Sequence, residues 1–333
     1  MKRAIAMILC LFLLAGCGSA PSGTVRIPPE EDRLTIYTSH KEAVYGPIVR
    51  EFEERTGIWV QVEAGGTSEL LDRLSAEKDA PECDLFFGGG ADSLTACRDL
   101  FEPYTSPLAS ALDPAFLCED GCWTPFSIVP IVLIYNPVLV RLNPPEGWES
   151  LLDPALRGRI AFADPLISGS SYTALSALTQ VLPGSWEDNL DAFFYNLNGR
   201  ILDGSGDVPA EVADGSCTIG ITLEETALKA AASLSDVALL YPKEGTVFLP
   251  DGMAVVSNAR HAANARQFID FCLGGDVQRH VVSTCLRRPV RRDIDCSLPG
   301  ADELAPFAYD LDQAAGSRGQ ILSRWRQLRG DTP

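Results

Sequence analysis

Strand and helix patterns alternate along the chain, and this alternation constrains the fold more than any other feature. Residues 34–40 (LTIYTSH), 58–64 (IWVQVEA) and 83–90 (CDLFFGGG) each have the pattern of a strand, and each is followed by a helical segment. Parallel strands need a crossover connection, which is usually a helix. Successive strand-loop-helix units therefore predict an α/β fold in which mostly parallel sheets are flanked by helices.

The length predicts two lobes. About 300 residues follow residue 33, more than a single core usually accommodates. The apolar run at 126–137 (FSIVPIVLIYNP) is long enough to pass from one lobe into another, and 239–257 has the pattern of two returning strands. The expected organisation is lobe 1 at 34–125 plus about 246–298, lobe 2 at 126–245, and a C-terminal helical segment at 299–333.

The N-terminal residues 1–17 have the pattern of a secretory signal peptide, with two early positive charges and a short apolar run. This run is too short to cross a bilayer, which takes about 20 residues. The small residues before Cys17 resemble a bacterial lipobox, which predicts lipidation at Cys17 and an extracytoplasmic protein anchored to the cell membrane. The alternative is a plain cleaved signal peptide. Residues 18–33 are small, polar and proline-rich, which is typical of a flexible tether.

The charge argues against nucleic-acid binding. The net charge is -18 and the pI is about 4.5, so a polyanion would be repelled. The basic residues Arg287, Arg288, Arg291 and Arg292 are surrounded by acidic sequence, and their pattern indicates a solvated turn.

Eight cysteines follow Cys17, and an exported chain can oxidise them. Spacing favours bridges between Cys118 and Cys122 and between Cys285 and Cys296, although spacing does not fix connectivity. Zinc is the alternative, but the sequence contains no paired CxxC motif and three histidines.

Loops rich in glycine and hydroxyl residues follow several strand patterns. In open α/β sheets, ligands bind at the carboxyl ends of the strands. Main-chain N–H groups at helix N-termini hold anions, and small side chains let an anion approach them. We therefore expect amides to take the place of cationic residues in holding an anion, although ordinary helix capping is the alternative for each loop. The loops are 38–40 (TSH), 65–68 (GGTS), 88–90 (GGG) and 168–171 (SGSS).

Four segments together resemble the type 2 extracellular solute-binding proteins of ABC importers: 37–74, 84–94, 163–182 and 241–256. The resemblance covers residues 34–273 and is greatest to the branch with ferric-binding and organophosphate- or phosphonate-binding members. It implies a periplasmic-binding-protein type II fold, in which a hinge joins two α/β lobes that close over a ligand. It also implies delivery of the solute to an ABC permease with its ATPase.

The sequence departs from the ferric-binding relatives at one position of the resemblance. Those relatives place adjacent tyrosines after the strand of the segment that here reads GITLEETALK (220–229), whereas this chain has Glu224 and Glu225. Tyrosinate capture of iron is therefore not expected. A metal alternative stays open through His40 with Glu224, since carboxylates and histidine bind hard cations. First-turn carboxylates favoured by the helix dipole are the structural alternative for this pair.

The expected solute is a small anion that carries a phosphate or phosphonate group. In this interpretation the hydroxyl and glycine loops hold the phosphoryl group, and Glu224 binds a hydroxyl or ammonium group. The predicted ligand-binding residues are Ser39, His40, Thr67, Gly89, Ser170, Ser171, Ser205 and Glu224.

The sequence does not indicate an enzyme, because it contains no GxSxG or HExxH motif. No cofactor is expected, and the chain is expected to be a monomer. Two alternatives to import of an anion remain: an importer protein for ferric iron or another metal, and a ligand-sensing lipoprotein that is not coupled to transport.

Overall fold

The computed structural model describes residues 28–300, 304 and 306–331. The predicted signal peptide, Cys17 and the tether up to residue 27 lie outside the described residues. Asp32–Pro333 forms one compact unit that contains two sheets. Among the helices described, none combines the length and the hydrophobicity that spanning a bilayer requires.

The strands occupy the positions that the sequence pattern predicts for the first three units. β1 (Arg33–Thr38) pairs in parallel with both β2 (Trp59–Ala64) and β3 (Leu85–Gly90), so the predicted strand-loop-helix units are confirmed. The strands are β1 (Arg33–Thr38), β2 (Trp59–Ala64), β3 (Leu85–Gly90), β4 (Phe101–Glu102), β5 (Thr124–Ile128), β6 (Ile131–Tyr135), β7 (Ile160–Ala161), β8 (Ile219–Leu223), β9 (Ala238–Leu240), β10 (Pro250–Val256) and β11 (Arg288–Pro289).

The helices alternate with these strands. The first helix, α1 (Glu42–Thr56), is followed by Gly57, whose φ of 77° is the left-handed conformation that glycine adopts at helix C-termini. The α-helices are α1 (Glu42–Thr56), α2 (Thr67–Ala76), α3 (Ala91–Ala96), α4 (Gly169–Val181), α5 (Trp186–Leu197), α6 (Val208–Ala213), α7 (Glu224–Ser233), α8 (Ala262–Cys272), α9 (Gly275–Ser283) and α10 (Leu311–Arg329). Short 3-10 helices lie at Glu30–Asp32, Arg98–Leu100, Ala109–Ala111, Pro114–Phe116, Trp148–Leu152 and Pro154–Leu156.

Two sheets define two lobes, and the predicted α/β class is confirmed. The sheet of lobe 1 has the order β11-β5-β10-β3-β1-β2, with β4 beside β10, and the sheet of lobe 2 has the order β7-β8-β6-β9. Both sheets contain more antiparallel pairing than the sequence predicts. In lobe 1 the reason is β10, which returns from lobe 2 and pairs antiparallel with β3 and β5.

The chain crosses between the lobes at two adjacent places. The apolar run predicted as one continuous strand is divided into β5 in lobe 1 and β6 in lobe 2, with Val129 and Pro130 between them. The return lies between β9 and β10, and Pro250 at the start of β10 is the partner of Ile128 at the end of β5. Both crossings therefore lie side by side.

Aromatic side chains fill the cores of both lobes. In lobe 1 the ring of Phe268 on α8 lies 5.0 Å from Phe52 and 5.4 Å from Phe87. In lobe 2 the ring of Phe162 lies 5.0 Å from Phe193 and 5.8 Å from Trp325 of α10. These edge-on contacts fix the helices on the sheets whose loops form the site described next.

Candidate functional site

A cleft of about 280 Å³ lies between the lobes. From lobe 1, the lining includes residues at or just after the C-terminal ends of β1, β2 and β3. From lobe 2, it includes residues 167–170 and 203–206. These are the loops with the glycine and hydroxyl pattern, so the structure brings to one place segments that are far apart in the sequence.

Six of the eight predicted ligand residues line the cleft, and two do not. Ser171 is buried in the first turn of α4, behind the lining, and Glu224 is 1% exposed in the first turn of α7. The six that line the cleft are Ser39, His40, Thr67, Gly89, Ser170 and Ser205.

Two helix N-termini, one from each lobe, open onto the cleft. α2 begins at Thr67 after Gly66, which provides no side-chain cap. α4 begins after Ser168, whose Oγ accepts the N–H of Ser171 at 3.4 Å and lies 3.1 Å from Oγ of Ser170. Ser168 therefore caps the helix and also lines the cleft. The amides of a first helical turn lack intrahelical partners and carry partial positive charge, which suits an anion.

The lobes touch at glycines beside these helix N-termini. A Cβ atom on Gly169 would lie 2.7 Å from Oγ1 of Thr67, and one on Gly66 would lie 2.4 Å from the carbonyl oxygen of Ile167. The N–H of Ser68 donates to the same carbonyl oxygen at 3.3 Å. A larger residue would collide with the main chain of Ile167 at position 66 and with the side chain of Thr67 at position 169.

Arg287 forms the centre of a buried polar network in the wall of the cleft. Its Nη1 donates to Oδ2 of Asp251 at 2.7 Å and to Nδ1 of His40 at 3.2 Å, and its Nη2 donates to Oε1 of Glu225 at 3.1 Å. Asp251 also accepts the hydroxyl of Ser127 at 2.6 Å. The prediction of a solvated turn is therefore wrong for Arg287, which is 5% exposed.

Arg288 is buried as well and binds the neighbouring glutamate. Its Nε and Nη2 each donate to the carboxylate of Glu224 at 2.8 Å, and the hydroxyl of Tyr241 donates to that carboxylate at 2.6 Å. The prediction of a solvated turn is therefore wrong for Arg288 as well. The guanidinium can be buried because its bidentate bond to Glu224 offsets the cost of removing it from water. Both arginines thus join lobe 1 to the first turn of α7 in lobe 2.

Burial determines the protonation of this network. Burial, together with the nearby charge of Arg287, holds the pKa of His40 well below its usual value, so its imidazole is neutral. Burial raises the pKa of Asp251, against the opposing effect of Arg287. Burial also acts to raise the pKa of Glu225, but the charges of Arg287 and Lys229 outweigh it and the pKa is lowered.

The cleft contains positive charge, contrary to the expectation that amides replace cationic residues. Arg287 and Lys41 both line it. A Cβ atom on Gly206 would lie 2.3 Å from Nζ of Lys41, which shows that this lysine of lobe 1 reaches the loop of lobe 2. Sequence reasoning missed Arg287 because its partners lie 36 and 62 residues away, beyond any local pattern.

Potential metal ligands are few in the cleft. The imidazole and carboxylate side chains among its lining residues are His40, Asp203 and Asp251. In the part of the chain that the structure describes, a group of three metal-ligating side chains with mutually close ligand atoms occurs at Cys118, Asp120 and Cys122. That group lies outside the cleft lining.

The cysteines are free thiols in the structure. All eight cysteines after residue 27 are unpaired, including Cys285 and Cys296. Sγ of Cys118 and Sγ of Cys122 are 3.5 Å apart, longer than a disulfide bond of about 2.05 Å. The two expected bridges are therefore absent from the described residues, although the first pair is nearly in bonding position.

Comparison with known proteins gives one family and several relatives. A family model described as bacterial extracellular solute-binding protein matches residues 79–309. Iron uptake protein A1 of Synechocystis is 24% identical over 84% of this chain and 81% of its own length. A Salmonella typhi periplasmic protein named for binding 2-aminoethylphosphonate is 23% identical, over 98% of this chain and 99% of its own.

A solved structure has the same fold. The periplasmic binding protein AfuA from Actinobacillus pleuropneumoniae, with fructose-6-phosphate bound, superimposes with a TM-score of 0.81. It is 23% identical, and the match covers 89% of this chain and 98% of AfuA. The two-lobed binding-protein fold implied by the sequence is thereby confirmed.

Proposed function

The chain belongs to the family of bacterial extracellular solute-binding proteins, and from that premise we propose that it captures a small phosphate- or phosphonate-bearing solute between its lobes. Members of this family bind small solutes and work with the permeases of ABC importers. Its relatives are periplasmic binding proteins rather than enzymes. The solute would pass from the cleft to such a permease.

The convergence of two helix N-termini on one cleft carries the proposal. The first turns of α2 and α4 approach from opposite lobes, so an anion between them receives amide hydrogen bonds from both. Hydroxyl groups add further donors, and a tetrahedral phosphoryl group has enough oxygens to accept from several at once. The hydroxyl residues of the lining are Ser39, Thr67, Ser168, Ser170, Thr173 and Ser205.

The ligand chemistry of the cleft supports an anion over ferric iron. Glu224 already binds Arg288 and Tyr241, and Asp251 already binds Arg287. Among the residues that the structure describes as lining the cleft, none is a tyrosine. A ferric ion needs several free hard anionic ligands, whereas hydroxyls, amides and an arginine suit a phosphoryl group.

Some relatives are named for iron and others for phosphorus-bearing solutes. The Synechocystis relative is named for iron uptake and the Salmonella typhi relative for 2-aminoethylphosphonate. The solved structure of AfuA holds fructose-6-phosphate. Identity of 23–24% does not transfer a ligand, so the choice here rests on the donors in the cleft.

A ligand screen by thermal unfolding tests the proposal. The probes are inorganic phosphate, 2-aminoethylphosphonate, fructose-6-phosphate and ferric citrate, with sodium citrate as the control for the last. A ligand at 100 times its Kd stabilises the folded state by about 2.7 kcal/mol, which raises Tm by roughly 5 °C in a protein of this size. We expect a phosphorus-bearing probe to give this shift. A shift with ferric citrate alone would show that the protein binds iron instead.

A matched pair of variants locates the binding. Ser170→Ala removes a hydroxyl at the helix N-terminus in the cleft, whereas Ser185→Ala removes the N-cap of α5, which lies outside the cleft lining. Calorimetric titration with the active probe should show about tenfold weaker binding for the first variant and unchanged binding for the second. Equal affinities in both variants would place the ligand elsewhere.

A further inference from the structure

His40 is buried between groups that determine which of its nitrogens carries the proton. Its side chain is 4% exposed, and its ring packs edge-on against Phe87 with the centroids 4.5 Å apart. Nδ1 faces Nη1 of Arg287 at 3.2 Å. Nε2 lies 3.5 Å from Oδ2 of Asp251 and has no hydrogen-bond partner among the residues described.

The contact with Arg287 permits one tautomer only. A guanidinium has donors and no acceptor, and it does not deprotonate in proteins. Nδ1 of His40 must therefore present its lone pair to Arg287, and a neutral imidazole then carries its proton on Nε2. The network that holds Arg287 in this position is itself buried, through Asp251 and Glu225.

This tautomer is the opposite of what a metal-binding histidine needs. A histidine that ligates a metal through one nitrogen usually donates the other ring N–H to a carboxylate or carbonyl oxygen. In the tautomer that Arg287 requires, the lone pair of Nδ1 is occupied by Arg287, and Nε2 carries the hydrogen. Binding a metal at Nε2 would require loss of that second proton, to give an imidazolate.

We propose that Arg287 is a positioning residue that determines the specificity of the cleft, because it fixes His40 as a hydrogen-bond donor for an anionic solute and bars it from metal binding. The inference rests on the proposed function for the identity of the solute, but its tautomer claim stands without any ligand. His40 lines the cleft, and its Nε2 is buried without a hydrogen-bond partner among the described residues, so an oxygen of an anion that enters beside it would accept its N–H.

The tautomer is measured directly by NMR on the full chain with 15N-labelled histidine. Long-range 1H–15N correlation spectra distinguish a nitrogen that carries hydrogen from one that does not, and His40→Gln identifies the His40 signals among those of the three histidines. We expect Nδ1 without hydrogen and Nε2 with hydrogen at pH 7. A proton on Nδ1, or on both nitrogens, would overturn the inference.

Two charge-balanced double variants test the role of Arg287. Arg287→Met with Asp251→Asn removes the ion pair that touches His40, whereas Arg288→Met with Glu224→Gln removes the adjacent buried pair that does not. We expect the first variant to show mixed His40 tautomers and about tenfold weaker binding of the active phosphorus probe. The second should keep the wild-type spectrum of His40. Unchanged His40 signals in the first variant would refute the role of Arg287.

Zinc is a suitable diamagnetic probe of metal binding at His40. Added Zn²⁺ should leave the His40 nitrogens of the wild type unmoved and should shift them in the Arg287→Met/Asp251→Asn variant. A zinc-induced shift of His40 in the wild type would overturn the specificity claim. If the tautomer is as inferred but no phosphorus probe moves the His40 signals, the proposed solute is wrong while the positioning by Arg287 stands.

Discussion

Gly169 is the residue on which close approach of the lobes depends most directly. A methyl group there would meet Thr67 across the cleft at 2.7 Å, at a branched Cβ that cannot rotate away. We expect Gly169→Ala to weaken binding of the active probe by at least about tenfold, because the closed arrangement is no longer reached. Calorimetric titration measures this loss.

Gly316 provides the matched control for that substitution. It is exposed on α10, and a Cβ atom there would have no neighbour within 4 Å. Gly316→Ala should leave ligand affinity unchanged and raise the free energy of unfolding by about 0.5–1 kcal/mol, since alanine favours the helix. Weakened binding in both variants would mean that the effect of Gly169→Ala is not specific to the cleft.

His40 also makes the stability of the protein depend on pH. Burial and Arg287 hold its pKa well below 6.5 in the folded state, whereas the unfolded chain titrates at about 6.5. Below pH 6.5 the unfolded state therefore binds a proton that the folded state does not. The contribution of this group is full above pH 6.5 and is lost as the pH falls.

Urea unfolding at pH 7.5 and pH 5.5 measures this contribution. The wild type should lose up to about 1.4 kcal/mol more of its free energy of unfolding than His40→Gln does over this interval. The comparison removes the effects of Asp251 and Asp92, whose pKa values burial raises in both proteins. The same pH dependence in both proteins would contradict a depressed pKa at His40.

At the scale of elements, α10 is shared between the lobes. It packs against α3 of lobe 1 and against α4 and α5 of lobe 2. Nη2 of Arg318 donates to Oγ of Ser68 in lobe 1 at 2.9 Å, and Nε1 of Trp325 donates to Oδ1 of Asp164 in lobe 2 at 3.1 Å. The helix thus connects the two lobes close to the cleft loops.

Trp325 should be the main contributor of α10 to stability. It is fully buried, and its ring lies 5.1 Å from that of Phe194. Trp325→Ala should lower the free energy of unfolding by about 3–5 kcal/mol, since it opens a cavity and removes one of the donors to Asp164, which keeps Arg329. Trp59→Ala is the control, because Trp59 is 44% exposed and should cost less than about 1 kcal/mol. Equal losses on urea unfolding would refute this assignment.

Local patterns predicted the elements better than they predicted the site. Alternation and helical spacing are properties of neighbouring residues, so β1–β3 and the cleft loops were recognisable in the sequence. Glu224 was expected to bind the ligand, but it lies in an ion pair with Arg288, 64 residues away. That pairing depends on how β11 of lobe 1 meets α7 of lobe 2, which no local spacing encodes.

At the scale of the whole molecule, we propose that lipidation at Cys17 anchors the protein to the cell membrane. The proposal rests on the lipobox-like residues 14–17, which lie outside the described part of the chain. Cys17→Ser should move the protein from the membrane fraction to the soluble fraction of an expressing cell, with unchanged affinity for the solute. Retention in the membrane fraction would show that Cys17 does not anchor the protein.

The adjacent crossings of β5 and β10 bear on how the two lobes can move relative to each other. Two main-chain connections between the lobes are paired neighbours in one sheet, at Ile128 and Pro250, and α10 is a further link between the lobes. Two antiparallel strands so close together favour rotation of the lobes about one axis, and α10 has to follow that rotation. A spectroscopic distance between labels on the two lobes would therefore report rotation about these paired strands.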